Sequence, residues 1–117
     1  HMKQLAILIL SILVLTSCQS EEPDYQQWLS EGVLIDTRTL EEFNAGHVKG
    51  AKLIPYDQIS RRISMATANK DTPILLYCRS GRRAGIAEKV LQDMGYSQVK
   101  NVGGLSDIAT FMKKYDQ

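Results

Sequence analysis

The chain has 117 residues, with 14 lysines and arginines against 13 aspartates and glutamates, and a formal net charge of +1. Near-neutrality excludes a general electrostatic attraction to nucleic acid, and two histidines with two cysteines cannot furnish a zinc site once His1 is set aside. The length allows one small domain with a single core.

His1 ahead of Met2 reads as a cloning remnant, and Lys3 precedes an apolar core from Leu5 to Leu15 broken only by Ser11. That is the size of a signal-peptide core and shorter than the roughly 18 residues of a membrane span. Residues 1–17 are therefore expected to be removed on export. Leu15-Thr16-Ser17-Cys18 resembles a bacterial lipobox, which implies a lipidated Cys18 on the periplasmic side of a membrane, with Gln19 favouring the outer membrane. Plain cleavage to a soluble periplasmic protein is the alternative. Losing Lys3 leaves 13 charges of each sign. Residues 18–23 form a polar tether, and residues 24–117 form the domain.

Within the domain, Asp24 caps a short helix to Ser30 that stops near Gly32, with Trp28 and Leu29 inward. Val33-Leu34-Ile35 reads as the first strand. Thr39-Leu40-Glu41-Glu42 has capping-box spacing and opens a helix ending at Gly46. Lys52 to Ile54 is a second strand halted by Pro55, and Asp57 is expected to cap a helix carrying Ile59, Ile63 and Ala66. Ile74 to Tyr77 is the third strand.

After a cysteine loop, Ile86, Val90, Leu91 and Met94 mark the buried face of a helix that stops at Gly95. Val99 to Val102 is the fourth strand, and Gly103-Gly104 leads to a last helix with Leu105, Ile108, Ala109 and Met112 on its inner face. Strands alternating with helices predict an α/β fold, a three-layer α/β/α sandwich around a small, mainly parallel sheet of four to five strands.

The loop Cys78-Arg79-Ser80-Gly81-Arg82-Arg83 is the chemical feature. A cysteine where a strand ends and a helix begins faces the helix N-terminus, and nearby cations also favour its thiolate. Gly81 lets the backbone curl so that successive N–H groups face the sulfur. With Cys18 in the export tail, Cys78 is left as a free thiol; a Cys18–Cys78 disulfide is the alternative. A single compact domain has no second domain to wall the site, so the mouth around Cys78 is expected to be open.

This loop resembles the active loop of the rhodanese family, the thiosulfate sulfurtransferases. Ile35-Asp36-Thr37-Arg38, Glu41-Glu42-Phe43, Gly46-His47-Val48-Lys49-Gly50-Ala51 and Ile54-Pro55 are similar to one family signature, and Met94-Gly95-Tyr96 with Val102-Gly103-Gly104-Leu105 to another. The likeness spans residues 33–109 and is greatest to small exported single-domain members, with Ile108 where many rhodaneses carry Trp.

The resemblance implies a ping-pong reaction through a Cys78 persulfide, with thiosulfate as the anionic donor, cyanide or a thiol (including a dithiol protein) as acceptor, and no cofactor. Arg79, Ser80, Gly81, Arg82 and Arg83 would bind the donor, with Arg83 in the loop-closing position and its guanidinium inward; Arg79 and Arg82 are equally readable as solvated rim charges. Asp36 is expected to orient a loop arginine or accept backbone N–H bonds, and Arg38 to support the site, unless the two simply tie a strand end together. His47 falls in a structural position of the signature. A sulfur-carrying or binding module without turnover is the alternative. Phosphatase or arsenate reductase chemistry fits less well: those loops have the form H-C-x5-R, whereas Tyr77 precedes the cysteine here and the sixth residue after Cys78 is Ala84.

Overall fold

A computed structural model describes residues 22–117. The expected signal segment, the lipobox and Cys18 lie outside the described residues. The elements run α1 (Tyr25–Glu31), β1 (Val33–Asp36), α2 (Leu40–Ala45), β2 (Lys52–Leu53), a 3₁₀ turn (Tyr56–Gln58), α3 (Ile59–Ala66), β3 (Ile74–Tyr77), α4 (Arg82–Asp93), β4 (Val99–Gly103) and α5 (Leu105–Tyr115). All strand pairs are parallel, in the order β2-β1-β3-β4.

The period-2 alternation of strands divides β3 between two cores. Ile74, Leu76 and Cys78 face one side with Ile59 and Ile63 of α3 and Ala84, Ala87 and Leu91 of α4. Leu75 and Tyr77 face the other, with Trp28 of α1 and Ile108 and Phe111 of α5. Helices therefore cover both faces of a four-stranded parallel sheet, the three-layer α/β arrangement expected. Because β2 lies on one side of β1 and β3 on the other, the chain reverses its winding between β1 and β3. The crevice beyond the carboxyl ends of those two strands is where such sheets place their ligands.

Local chemistry accounts for the helix starts. Asp24 Oδ1 accepts the Gln27 N–H at 3.1 Å. Thr39 and Glu42 form the complete capping box, Thr39 Oγ1 accepting from Glu42 N at 3.1 Å and Glu42 Oε1 from Thr39 N at 3.0 Å.

One cap and three inward-facing assignments change. Asp57 does not cap α3: it lies inside the 3₁₀ turn that Pro55 initiates, and Gln58 precedes the helix with no side-chain cap. The i→i+3 bond from Gln58 N to Pro55 O satisfies a donor that a cap would otherwise take. Ile86 is 41% exposed, and the small residues Ala84 and Ala87 fill the α4–sheet interface instead. Helix and sheet approach closely there: a Cβ on Gly85 would stand 3.3 Å from Asn101 Nδ2, a tight contact. In α5, Leu105 and Ala109 are exposed while Phe111 is buried. Aromatic packing selects that face, since Phe111 lies 5.4 Å from the Tyr25 ring and 4.8 Å from the Tyr115 ring.

Candidate active site

Cys78 follows β3 directly and is fully buried. Its Sγ accepts the Gly81 N–H at 2.9 Å and the Ala84 N–H at 3.4 Å. Burial alone pushes the thiol up, but the N–H groups of Ala84, Ser80, Gly81 and Arg83 outweigh it and bring the group below its ordinary value. Hydrogen bonds to the charged form are the cause. The sulfur thus sits in a ring of backbone donors at the N-terminus of a 12-residue helix.

Three glycines make that ring possible. Gly81 has φ +97° and begins α4 from the left-handed region, where a side chain would be strained. Gly103 ends β4 at φ +118° after a register shift opposite Leu76 and Tyr77, and its carbonyl accepts the Cys78 N–H at 3.0 Å. Gly104 passes directly beneath the loop: a Cβ there would overlap the Arg79 carbonyl oxygen. Leu105 N donates to that same oxygen at 3.3 Å, so the start of α5 is tied to the cysteine loop.

Asp36 and Arg38 are buried beside the loop's base, 0% and 5% exposed. Arg38 Nε and Nη2 grip the Asp36 carboxylate at 2.7 to 3.1 Å, and Arg38 Nη2 also donates to Gly46 O at 2.7 Å. The Tyr77 hydroxyl donates to Asp36 Oδ2 at 2.8 Å and accepts Val48 N at 3.0 Å. Burial, before its contact with Asp36, pushes the Tyr77 phenol up to about 12. Asp36 accepts the backbone N–H of Arg38 at 2.9 Å, but its guanidinium partner is Arg38 and not Arg79, Arg82 or Arg83. The pair ties the ends of β1 and β3 to the Gly46–Val48 loop. Thr37 adds to this, its N–H and hydroxyl both donating to Tyr77 O at 3.0 and 2.9 Å.

The loop arginines separate. Arg79 and Arg82 are exposed, and the Arg82 N–H is 3.4 Å from Ser80 Oγ. Arg83 turns back to α2, where Nη1 and Nη2 meet Glu42 Oε1 and Oε2 at 2.8 and 3.0 Å. This hydrogen-bonded pair, with the Thr39 N–H, holds the Glu42 carboxyl down at about 2. His47 takes no part at the sulfur: its ring stacks on Phe43 at 3.6 Å and its Nδ1 lies 2.9 Å from Phe43 O.

Sequence reading missed four contributors. Glu42 was legible only as a capping residue, Tyr77 only as the end of a strand, and Thr37 only as part of a signature. Asn101, whose Nδ2 donates to Gly81 O at 3.0 Å, carries no local signal because it acts across 20 residues. The sulfur is also more sheltered than an open single-domain mouth suggested: Cys78 has no exposed surface, while Arg79 and Arg82 at the rim meet solvent.

The profile of the rhodanese-like domain matches residues 21–110. The chain belongs to the rhodanese-like domain family. It is 43% identical over 75 residues to the thiosulfate sulfurtransferase PspE of Escherichia coli, a match covering 64% of this chain and 72% of that protein. It is 30% identical over 69 residues to the putative sulfur carrier protein YrkF of Bacillus subtilis, covering 59% of this chain and 36% of the relative. Among solved structures, a rhodanese with anions from E. coli superposes with a TM-score of 0.64 at 41% identity, covering 67% of this chain and 92% of the other.

Proposed function

We propose that this protein is a thiosulfate sulfurtransferase working through a persulfide on Cys78. The observation that carries the reading is the pair of N–H donors on Sγ, at 2.9 and 3.4 Å, at the start of α4. The Cys78 thiolate attacks the outer sulfur of thiosulfate. The sulfur–sulfur bond of the donor breaks, its electron pair leaves with sulfite, and Cys78 retains one extra sulfur as a persulfide anion.

The same N–H ring is suited to that anion, because preorganised donors stabilise charge without reorienting. A disulfide-length bond of about 2.05 Å carries the outer sulfur beyond the buried Sγ. There cyanide or a thiol attacks it, takes the sulfur, and returns the thiolate. Arg79 and Arg82 at the rim attract the thiosulfate dianion and departing sulfite, and Ser80 with Gly81 shapes the opening. Asp36 and Arg38 support the loop through Tyr77 and Gly46 and do not touch the donor.

The proposal extends to export. Residues 1–17 act as a signal, Cys18 receives lipid, and residues 24–117 work on the periplasmic side of the membrane. Among the described residues no helix is long and apolar enough to cross a membrane. Labelling of the cell-grown protein by a palmitate analogue, lost in Cys18→Ser, tests the anchor.

Intact-mass analysis after incubation with thiosulfate tests the chemistry. The expected result is one added sulfur atom, absent from Cys78→Ala and removed by cyanide with release of thiocyanate. A removable adduct without repeated turnover when thiosulfate and cyanide are both in excess would instead support the sulfur-carrier alternative. No adduct at neutral pH would overturn the sulfurtransferase reading and favour a binding module without turnover.

A further inference from the structure

Arg83 and Glu42 belong to different elements, 41 residues apart, and meet in a two-point ion pair at the edge of the cysteine loop. The side chains are 19% and 25% exposed, so the pair is only partly screened by water. Arg83 directly precedes Ala84, whose N–H donates to Sγ at 3.4 Å, so its guanidinium is anchored in the loop that holds the sulfur; after the Glu42 bond, burial and the Glu42 charge, the Cys78 thiolate also favours its charged form. A cation that would otherwise stabilise the thiolate at full strength is thus met by a carboxylate.

We propose that Glu42 is a positioning residue for the sulfur chemistry: it holds Arg83 beside the loop and neutralises it, limiting the positive potential felt by Cys78 and by an arriving anionic donor. The donor part of this inference rests on the sulfurtransferase reading; the part concerning Cys78 does not. The consequence is a moderated nucleophile. A thiolate stabilised less strongly keeps more intrinsic reactivity, since nucleophilicity falls with pKa. The charged groups nearest the loop on the elements that meet there are Arg79, Arg82 and Arg83 themselves, Asp36 at the end of β1 and Arg38 after it, Glu42 of α2, Glu88 of α4, whose Oε2 accepts Asn101 N at 3.1 Å, and Asp107, whose Oδ2 accepts Gly104 N at 2.8 Å. Asp36 and Arg38 neutralise each other. Glu42 is the carboxylate paired to a loop arginine.

The architecture separates this role from helix capping. Glutamine serves the capping box as well as glutamate does, and the Oε1 of a glutamine at position 42 can still accept from Thr39 N and Arg83 Nη1. Glu42→Gln therefore keeps α2 and one tether to Arg83 while deleting the charge.

The experiment is the pH dependence of Cys78 alkylation by iodoacetamide in the wild type, Glu42→Gln, Arg83→Gln and the double variant. Glu42→Gln is expected to lower the thiol midpoint by about 0.5 to 1 pH unit, the size of one partly screened charge. Arg83→Gln is expected to raise it, and the double variant to return near the wild type. A purely structural pair would not give opposite signs. The KM for thiosulfate should fall in Glu42→Gln and rise in Arg83→Gln, both differences shrinking at high salt. An unchanged or raised midpoint in Glu42→Gln overturns the proposal. If Glu42→Gln does not fold, Arg83→Gln decides alone, a rise supporting the proposal and no rise overturning it. Failure of the sulfurtransferase reading appears separately, as a wild type that takes no sulfur from thiosulfate while its alkylation profile remains measurable.

Discussion

The Tyr77 hydroxyl donates to the Asp36 carboxylate at 2.8 Å across the two central strands, immediately before the cysteine. This bond joins a buried ion pair to the residue that precedes the nucleophile, while the Tyr77 and Cys78 side chains face opposite sides of the sheet, so the Asp36–Arg38 pair acts on the strand end and not on the sulfur.

Asp36→Asn is expected to destabilise the protein by about 3 to 5 kcal/mol, because it leaves the Arg38 guanidinium buried without its counter-charge. Tyr77→Phe should cost less, about 1 to 3 kcal/mol, since it strands the Val48 N–H and removes one donor from an Asp36 that keeps Arg38. Urea unfolding measures both. In conditions where the folded forms dominate, sulfur transfer per folded molecule should stay within about threefold of wild type, less than 1 kcal/mol in barrier. A much larger loss in Asp36→Asn would mean that the carboxylate acts on the donor directly.

Gly104→Ala tests the support beneath the loop. At φ −95° the backbone suits alanine, so the strain comes from the collision of its Cβ with the Arg79 carbonyl. Backbone cannot yield as a flexible side chain can. The loop should shift away from Gly103–Gly104 and misdirect the donors on Sγ, lowering kcat/KM for thiosulfate at least about tenfold, or roughly 1.4 kcal/mol. Unchanged turnover in a folded Gly104→Ala would show that the loop is not held from below.

How far the sequence discloses this molecule depends on the range of the interaction. The Thr39–Glu42 capping box, the Asp24 cap, the Gly81 turn and the run Ile74–Tyr77 are set by neighbours within a few residues, and each appears in the sequence as a spacing. Cys78 was legible for the same reason: the strand, turn and helix that place it are contiguous. The faces of α4 and α5 were not, because helical periodicity does not say that Gly85 lets α4 approach Asn101, or that Tyr25 brings aromatic packing to Phe111. The Asp36–Arg38 tie, two residues apart, was legible as one of two readings; the pairing of Arg83 with Glu42, and of Asp36 with Tyr77, depends on which of several polar groups the strand order brings together. Composition leaves that choice open.

Asn101 offers a second test of the loop, independent of charge. Its Nδ2 donates to Gly81 O, which also accepts the Gly85 N–H at 3.0 Å, while its Oδ1 is buried without a protein partner. Asn101→Ala therefore removes one hydrogen bond and one unsatisfied acceptor together, and stability should change by no more than about 1 kcal/mol. The Gly81 carbonyl loses its lateral restraint, so the backbone about Gly81 should turn more freely and its N–H, on the preceding peptide unit, should point less steadily at Sγ. Alkylation of Cys78 should then require higher pH than in the wild type. An unchanged profile would mean that Gly85 alone fixes that peptide.

Acid unfolding should expose the Glu42–Arg83 bond as a stability element. The Glu42 carboxyl sits at about 2 in the folded protein, against 4.5 for the free group, chiefly through its hydrogen bonds with Arg83 and Thr39 N. A carboxyl depressed by folding contributes stability that is complete above its unfolded pKa and is lost as pH falls through its folded one. The window is therefore about pH 4.5 down to 2. Allowing for its partial exposure, the contribution should be about 1 to 2 kcal/mol. Unfolding free energies measured in urea at pH 7, 4 and 3 should fall more steeply for the wild type than for Glu42→Gln, whose side chain does not titrate, so the two curves converge towards low pH. Parallel curves would show that the ion pair, however close in distance, gives back in desolvation and side-chain ordering what it gains in charge attraction.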